Sequence, residues 1–268
     1  MFRPFEILTT NLANDTLFIA PLQQGQIPCP EMVWRAYDLS ELNRKAIAGE
    51  GDIIKISSQI YPQVKDTYQL LPVGATIVDE GGPLVVSRHH FRLSEHATKT
   101  IAIPGYDTTA YALLQQLLPA FGQIVVVPYQ NIIGMVTRGE VDAGLLIHQR
   151  EQEQLGLPVI YNLGTIWRNQ TSLPLPLGLW VVRKSLYENS ESRILVEKMI
   201  HALRQAYDYG RQNVGQILAF MTKHAPVKDA MQVEKDLFTW TNNRSRDLDI
   251  ESLNAINRLS NFTSLKKI

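Results

Sequence analysis

One cysteine, Cys29, stands in the 268 residues, so the chain can form no internal disulfide and no multi-cysteine metal centre. A lone thiol suits a reducing compartment. Excess charge is lacking too: Lys plus Arg and Asp plus Glu number 26 each. With no net field and no basic run, nothing favours nucleic acid or an anionic membrane surface. No stretch approaches the roughly 18 uninterrupted apolar residues of a membrane span. The opening "MFRPFEILTTNLANDT" turns polar early and lacks the apolar centre of a secretory leader. The expectation is a cytoplasmic protein that meets neither nucleic acid nor membrane. Hydrophobic residues make up 45% and charged ones 19%, a balance that builds a globular core.

What is there is a regular alternation. Short apolar runs trade places with longer amphipathic segments, the pattern of βα units around a mostly parallel sheet. "FEILTT" predicts a strand, with a helix from Thr16 to Gln24 after it. "MVWRAYDL" predicts a strand, and "SELNRKAIAGE" a helix capped by Ser40 and stopped at Gly49. "DIIKIS" predicts a strand and "YPQVKDTYQLL" a helix with Pro62 in its first turn. "ATIVDEGGPLVVSR" reads as two strands meeting at Gly81 and Gly82.

A second series follows: strand "KTIAIP", helix "TTAYALLQQLLP", strand "QIVVVP", helix "NIIGMVTRGE", strands "DAGLLIH", "PVIYNLG" and "LGLWVVRKSL". From Ser190 onward the chain reads as helical. "LNRKAIAGEGDIIKIS" and "IIGMVTRGEVDAGLLIH" share one plan, an amphipathic helix, Gly-Glu, an Asp and an apolar strand. Two similar α/β units are expected. Residues 1–97 with a returning strand and helices, 178–268, form the first; residues 98–177 form the second, inserted one.

Polar groups stand where these strands end, and ligands of open α/β sheets bind just beyond such ends. The first strand leads to Asn14, Asp15 and Thr16, and the third carries Lys55, Ser57 and Ser58. "KTIAIPGYDTT" leads to Asp107, Thr108 and Thr109, and "DAGLLIH" presents His148. Each alone is an ordinary helix cap; together, at helix starts, they suit a small-molecule carboxylate. His148 by itself is either a hydrogen-bonded structural residue or a general base. The other histidines lack metal-site spacing, no Gly-x-Ser-x-Gly elbow is present, and no Gly-rich phosphate loop appears. No cofactor and no metal are expected. "SLPLPLG" reads as a rigid connector or one wall of a site, with Gly178 admitting close approach, and Trp167 and Trp180 as core.

In their order, "ANDTLFIAPLQQG", "LNRKAIAGEGDIIKISSQIYPQV", "LLPVGATIVDEGGPLVVSR", "IAIPGYDTTAYALL", "MVTRGEVDAGLLIH" and "LPLPLG" resemble the 1,4-dihydroxy-6-naphthoate synthases of the futalosine route to menaquinone. The resemblance runs from Asn11 to Lys184. It implies a two-lobed type II fold like that of periplasmic binding proteins, each lobe a mostly parallel sheet flanked by helices, with a cleft between them. It also implies a carbon-carbon lyase that converts cyclic dehypoxanthinylfutalosine to 1,4-dihydroxy-6-naphthoate without a cofactor. In this family the histidine after the "AGLII"-type strand is the general base, which falls on His148. Substrate contacts fall on Lys55, Ile56 and Ser57, on Thr108 and Thr109, and on Asn14, Asp15 and Thr16.

The chain departs from the family at "TNLA" before Asn14, where Ser-Pro-Cys-Pro is usual, and at Gln149, where Glu is usual. Two other readings stay open. Chorismate dehydratase is a related enzyme of the same fold and pathway, although "KISSQIYP" and "LLIH" favour the synthase. A non-catalytic carboxylate-binding protein of this fold is the other.

Overall fold

The computed structural model describes residues 3–147, 156–224 and 230–264. In chain order the strands are β1 (Phe5–Thr9), β2 (Met32–Ala36), β3 (Ile53–Ser57), β4 (Tyr68–Leu70), β5 (Thr76–Val78), β6 (Leu84–Ser87), β7 (Thr100–Ile103), β8 (Gln123–Val126), β9 (Ala143–Leu146), β10 (Val159–Asn162) and β11 (Leu175–Arg183). The helices are α1 (Ala13–Gln23), α2 (Leu39–Ile47), α3 (Tyr61–Val64), α4 (Thr109–Leu117), α5 (Tyr129–Arg138), α6 (Leu163–Thr171), α7 (Ser190–Gln212), α8 (Val214–His224), α9 (Ala230–Trp240), α10 (Asn243–Arg246) and α11 (Ile250–Ser264). Contacts divide the chain into two compact units, Met1–Ile77 with Gly178–Leu253, and Val78–Leu177 with Asn254–Ile268.

The sheet of the first unit has the order β2-β1-β3-β11-β4, with β5 beside β11. Its β2-β1-β3 part is parallel, and β11 runs antiparallel to β3 and β4. Helix α1 is buried from Ala13 to Leu22, apolar all round beyond its polar first turn, as a helix enclosed on every side must be. It packs against α7, α8 and α9, and Phe18 lies 5.4 Å from the Trp180 ring and 5.8 Å from that of Tyr207. Leu17 and Ile19 have no exposure; each such burial stabilises by about 1.5–3 kcal/mol.

The second unit's sheet has the order β10-β6-β9-β7-β8. Here β9-β7-β8 is parallel and β10-β6-β9 antiparallel. Both sheets are therefore mixed, half parallel and half antiparallel, where the alternation pointed to mostly parallel ones. The β-rich stretches Tyr68–Leu70 and Leu84–Ser87 and the late strands supply the antiparallel halves.

The repeat visible in the sequence is a repeat of structure. β1-α1-β2-α2-β3 and β7-α4-β8-α5-β9 place their strands alike, as β2-β1-β3 and β8-β7-β9. Helices α2 and α5 each end at a glycine with positive φ, 74° at Gly49 and 76° at Gly139. Glycine adopts this left-handed turn without the steric cost of a Cβ. The aspartate three residues later then accepts from the start of the central strand. Asp52 takes the Glu6 amide at 2.9 Å, and Asp142 takes the Thr100 amide at 2.8 Å. The shared Gly-Glu-x-Asp is a device for registering one strand on its neighbour.

Several local expectations give way to tertiary context. Residues 61–71 form only the short α3 before β4, because Tyr68 to Leu70 find a paired edge on β11. Helix α6, read as part of a strand and connector, starts at Asn162, whose side chain accepts from the Thr165 amide at 3.1 Å. The last four residues of "SLPLPLG", Leu175 to Gly178, are the beginning of β11. Helix α1 begins at Ala13 rather than Thr16, with Leu12 as its cap. Asp38, not Ser40, precedes α2. Trp167 and Trp180 are fully buried.

Candidate active site

In the first unit the strand ends carry a closed polar network. Asp15 has no exposure and Lys55 only 4%, and the Lys55 Nζ to Asp15 Oδ1 distance is 3.0 Å. Lys55 also donates to Thr76 Oγ1 at 2.9 Å and to the Gly74 carbonyl at 3.3 Å. Those three acceptors account for the three hydrogens of an ammonium. Asp15 Oδ1 also accepts from Trp180 Nε1 at 3.1 Å. Its Oδ2 accepts from the Thr10 amide at 3.1 Å and the Thr10 hydroxyl at 2.6 Å. Asn14 donates to Thr76 Oγ1 at 3.0 Å, and Thr16 to the Asn11 carbonyl at 3.3 Å.

Asn14, Asp15 and Thr16 thus sit inside the first turn of α1, buried, and face inward rather than capping a helix. Ile56 is a fully buried strand residue. The register pairs Gly178 with Ser57 and Trp180 with Lys55. A Cβ at Gly178 would stand 2.7 Å from Lys55 Cε, so the close approach that this glycine permits is that of the lysine stem.

Ser57 is held differently. Asn43 Oδ1 accepts its amide at 2.8 Å, and Asn43 Nδ2 donates to its hydroxyl oxygen at 3.0 Å. The serine hydroxyl is an acceptor in that bond, and its own hydrogen has no acceptor among the described residues. Asn43, Thr10 and Thr76 are partners that the sequence reading missed. The one signal for Asn43 was a polar residue beside Leu42 on the buried face of an amphipathic helix.

In the second unit β7 turns through residues 104–107 into α4. Thr108 caps that helix: its hydroxyl accepts from the Tyr111 amide at 3.2 Å and donates to the Gly105 carbonyl at 3.0 Å. The Thr109 hydroxyl donates to the Leu177 carbonyl at 2.9 Å. Both hydroxyl hydrogens are therefore committed to the main chain, and anion attraction at this end falls to the helix dipole and its first-turn amides. Tyr106, 57% exposed, stands edge-on to Tyr111 with ring centres 5.1 Å apart. Burial, and then Tyr106, push the Tyr111 hydroxyl above its ordinary pKa, against the Gln115 hydrogen bond.

Strand β9 ends at Leu146, and His148 lies outside the described residues. Because β9 and β7 are parallel neighbours, the chain leaves both at the same edge of the sheet. His96 serves the core: its Nδ1 lies 3.1 Å from the Pro119 carbonyl and its Nε2 3.1 Å from the Tyr161 hydroxyl. A carbonyl only accepts, so Nδ1 carries hydrogen in the neutral ring. Among the described residues no group of His, Cys, Asp and Glu could hold a metal ion, and no helix is long and apolar enough to cross a membrane.

Residues 9–264 match the family described as menaquinone biosynthesis. A 1,4-dihydroxy-6-naphthoate synthase of Thermus thermophilus is 33% identical over 92% of this chain and 89% of its own. One from Streptomyces coelicolor is 30% identical over 92% and 88%. A chorismate dehydratase of Thermus thermophilus is 25% identical over 62% of this chain and 66% of its own. The crystal structure of protein AF1704 from Archaeoglobus fulgidus superposes with a TM-score of 0.90 at 28% identity, covering 98% of this chain and 97% of that one. A Candida albicans protein with the generic periplasmic binding protein fold gives 0.70 at 14% identity over 100% and 92%, a likeness of fold alone. The fold is that of the periplasmic binding proteins, and the chain belongs to the menaquinone biosynthesis family as an enzyme of the kind its 30–33% identical relatives represent.

Proposed function

We propose that this enzyme converts cyclic dehypoxanthinylfutalosine to 1,4-dihydroxy-6-naphthoate in the cytoplasm, on the futalosine route to menaquinone, with His148 as general base. The observation that carries the reading is the parallel pairing of β7 with β9. It sends the Thr108–Thr109 turn and the segment that leads to His148 from one edge of one sheet. Proton transfer needs the imidazole within hydrogen-bond reach of the reacting carbon.

His148 takes the proton from the carbon next to the substrate carbonyl. The electron pair left behind opens the spiro ring and expels the sugar-derived fragment, and aromatisation of the remaining rings drives the step. Unperturbed imidazole is half-protonated close to neutral pH, which suits a base that must also release its proton, and such catalysis contributes about 10²–10⁴-fold. Thr108 and Thr109 mark the carboxylate end of the site. With their hydroxyl hydrogens on the Gly105 and Leu177 carbonyls, the amino end of α4 supplies the attraction. Ser57 keeps a hydroxyl hydrogen to donate to a substrate oxygen. Asn14, Asp15, Thr16, Lys55 and Ile56 form the support under Ser57. No cofactor takes part.

Incubation of the purified protein with cyclic dehypoxanthinylfutalosine, read by mass spectrometry, tests the reading. Wild type is expected to form 1,4-dihydroxy-6-naphthoate, and His148→Asn to bind the substrate and leave it unchanged. Full turnover by His148→Asn would remove the base. Bound but unchanged substrate with wild type would leave a binding protein, and dehydration of chorismate instead would move the enzyme to the related reaction.

A further inference from the structure

Lys55 and Asp15 form a buried ion pair, and the proposed chemistry uses neither group directly. Taking two charges out of water is costly, and an apolar pair of similar volume is often as stable. A pair of this kind therefore adds little net stability over an apolar core, and its geometry is what it contributes. That geometry is tightly specified. The ammonium reaches three acceptors from two segments: Asp15 in the first turn of α1, and the Gly74 carbonyl and Thr76 hydroxyl in the loop before and into β5. Asp15 in turn gathers Thr10 at the end of β1 and Trp180 of β11.

The loop is itself pinned from behind. The Gly74 amide donates to the Ser245 carbonyl at 2.8 Å, and the Leu248 amide to the Pro72 carbonyl at 3.2 Å. Asn242 Nδ2 donates to the Ile77 carbonyl at 2.7 Å. Lys55 is thus the point where β1, α1, β3, the 72–77 loop and β11 are joined. Ser57, two residues further along β3, is the next inward position beyond it.

We propose that the Lys55–Asp15 pair is a positioning device that holds the carboxyl end of β3, and through it the Ser57 hydroxyl, in the geometry needed for turnover, and that Lys55 does not touch the substrate. The proposal rests on the reading of Ser57 as a substrate contact. All three ammonium hydrogens are already in use, and the lysine stem lies against Gly178 with no room for a Cβ, so reaching a ligand would require dismantling the network. A displacement on the ångström scale in a positioning group lowers turnover by about 100-fold.

The double variant Asp15→Asn/Lys55→Met removes both charges while keeping shape, and so avoids stranding one of them. It is compared with wild type, with Ser57→Ala and with the triple variant. The expected result is a folded protein whose kcat/KM for cyclic dehypoxanthinylfutalosine falls by about 10–100-fold, chiefly through kcat. Ser57→Ala, costly in wild type, should then cost less than about 2-fold in the double-variant background, because coupled groups are non-additive. An equal cost in both backgrounds, or wild-type kinetics in the double variant, overturns the proposal. A rise in KM alone would make Lys55 a substrate contact and overturn it too.

Hydrogen exchange at the Ser57 amide, which donates to Asn43, gives a readout independent of the substrate. Faster exchange at that amide in the double variant, with the core amides of β1 unchanged, is the signature of lost positioning. Unchanged exchange refutes the device whatever reaction the enzyme performs, whereas wild type inert toward this substrate refutes only the reaction.

Discussion

The two βαβαβ repeats share a strand order, a Gly-Glu-x-Asp turn and a polar strand end, yet they hold those polar groups in different ways. In β1-α1-β2-α2-β3 the strand ends hold a full positive and a full negative charge, both buried and both saturated by neighbours. In β7-α4-β8-α5-β9 the Thr108 and Thr109 hydroxyls at the equivalent end donate to main-chain carbonyls. The same contrast appears at the opposite ends. The Asp52 side chain is 1% exposed and takes two bonds from Arg3, at 2.6 and 2.7 Å, besides the Glu6 amide. Asp142 is 41% exposed, and its Lys99 partner stands 3.7 Å away. One repeat neutralises its buried charges from within. Shared topology places polar groups alike, and the partners that packing brings to each decide how they are held.

Breaking one partner of the buried pair is the most damaging test of this contrast. Asp15→Ala strands the Lys55 ammonium and should destabilise by about 3–5 kcal/mol, read from denaturant midpoints; a loss under 1 kcal/mol would mean that the pair is effectively solvated. Next comes the matched pair of turn aspartates. Asp52→Ala should cost about 2–3 kcal/mol, since it leaves the part-buried Glu6 amide and the Arg3 guanidinium without their charged acceptor. Asp142→Ala, in the more open turn, should cost about 1 kcal/mol. Equal losses would erase the asymmetry between the repeats. The smallest effect is expected at the neutral site: Thr108→Ala removes a helix cap and should lower stability by about 1 kcal/mol, seen as a modest fall in thermal midpoint.

Much of the fold was legible because hydrophobic period is local. Strands β1, β3, β7, β8 and β9 and helices α2, α4 and α5 follow from runs of apolar residues and their spacing. The repeat was legible from Gly49 and Gly139, whose turns need glycine. The places of Ser57, at the end of β3, and of Thr108, where the chain turns from β7 into α4, were legible from the pattern. What those side chains do there was not. Lys55, Asp15 and Asn14 read as ligand contacts because they are polar at strand ends, and the structure commits each to partners far along the chain: Asp15 to Trp180, Asn14 and Lys55 to Thr76. Tyr68 to Leu70 read as helix and became a strand because β11 offers a pairing edge far along the chain, at Val181 to Arg183.

The sequence by itself determined the α/β class, the two repeats and the family, since each depends on residues close together or on their order. Only the tertiary structure decided which polar groups are satisfied from within. A buried charge finds its partner by packing, not by sequence spacing, and the three hydrogens of Lys55 could be counted only once β3, α1 and the 72–77 loop had been brought together.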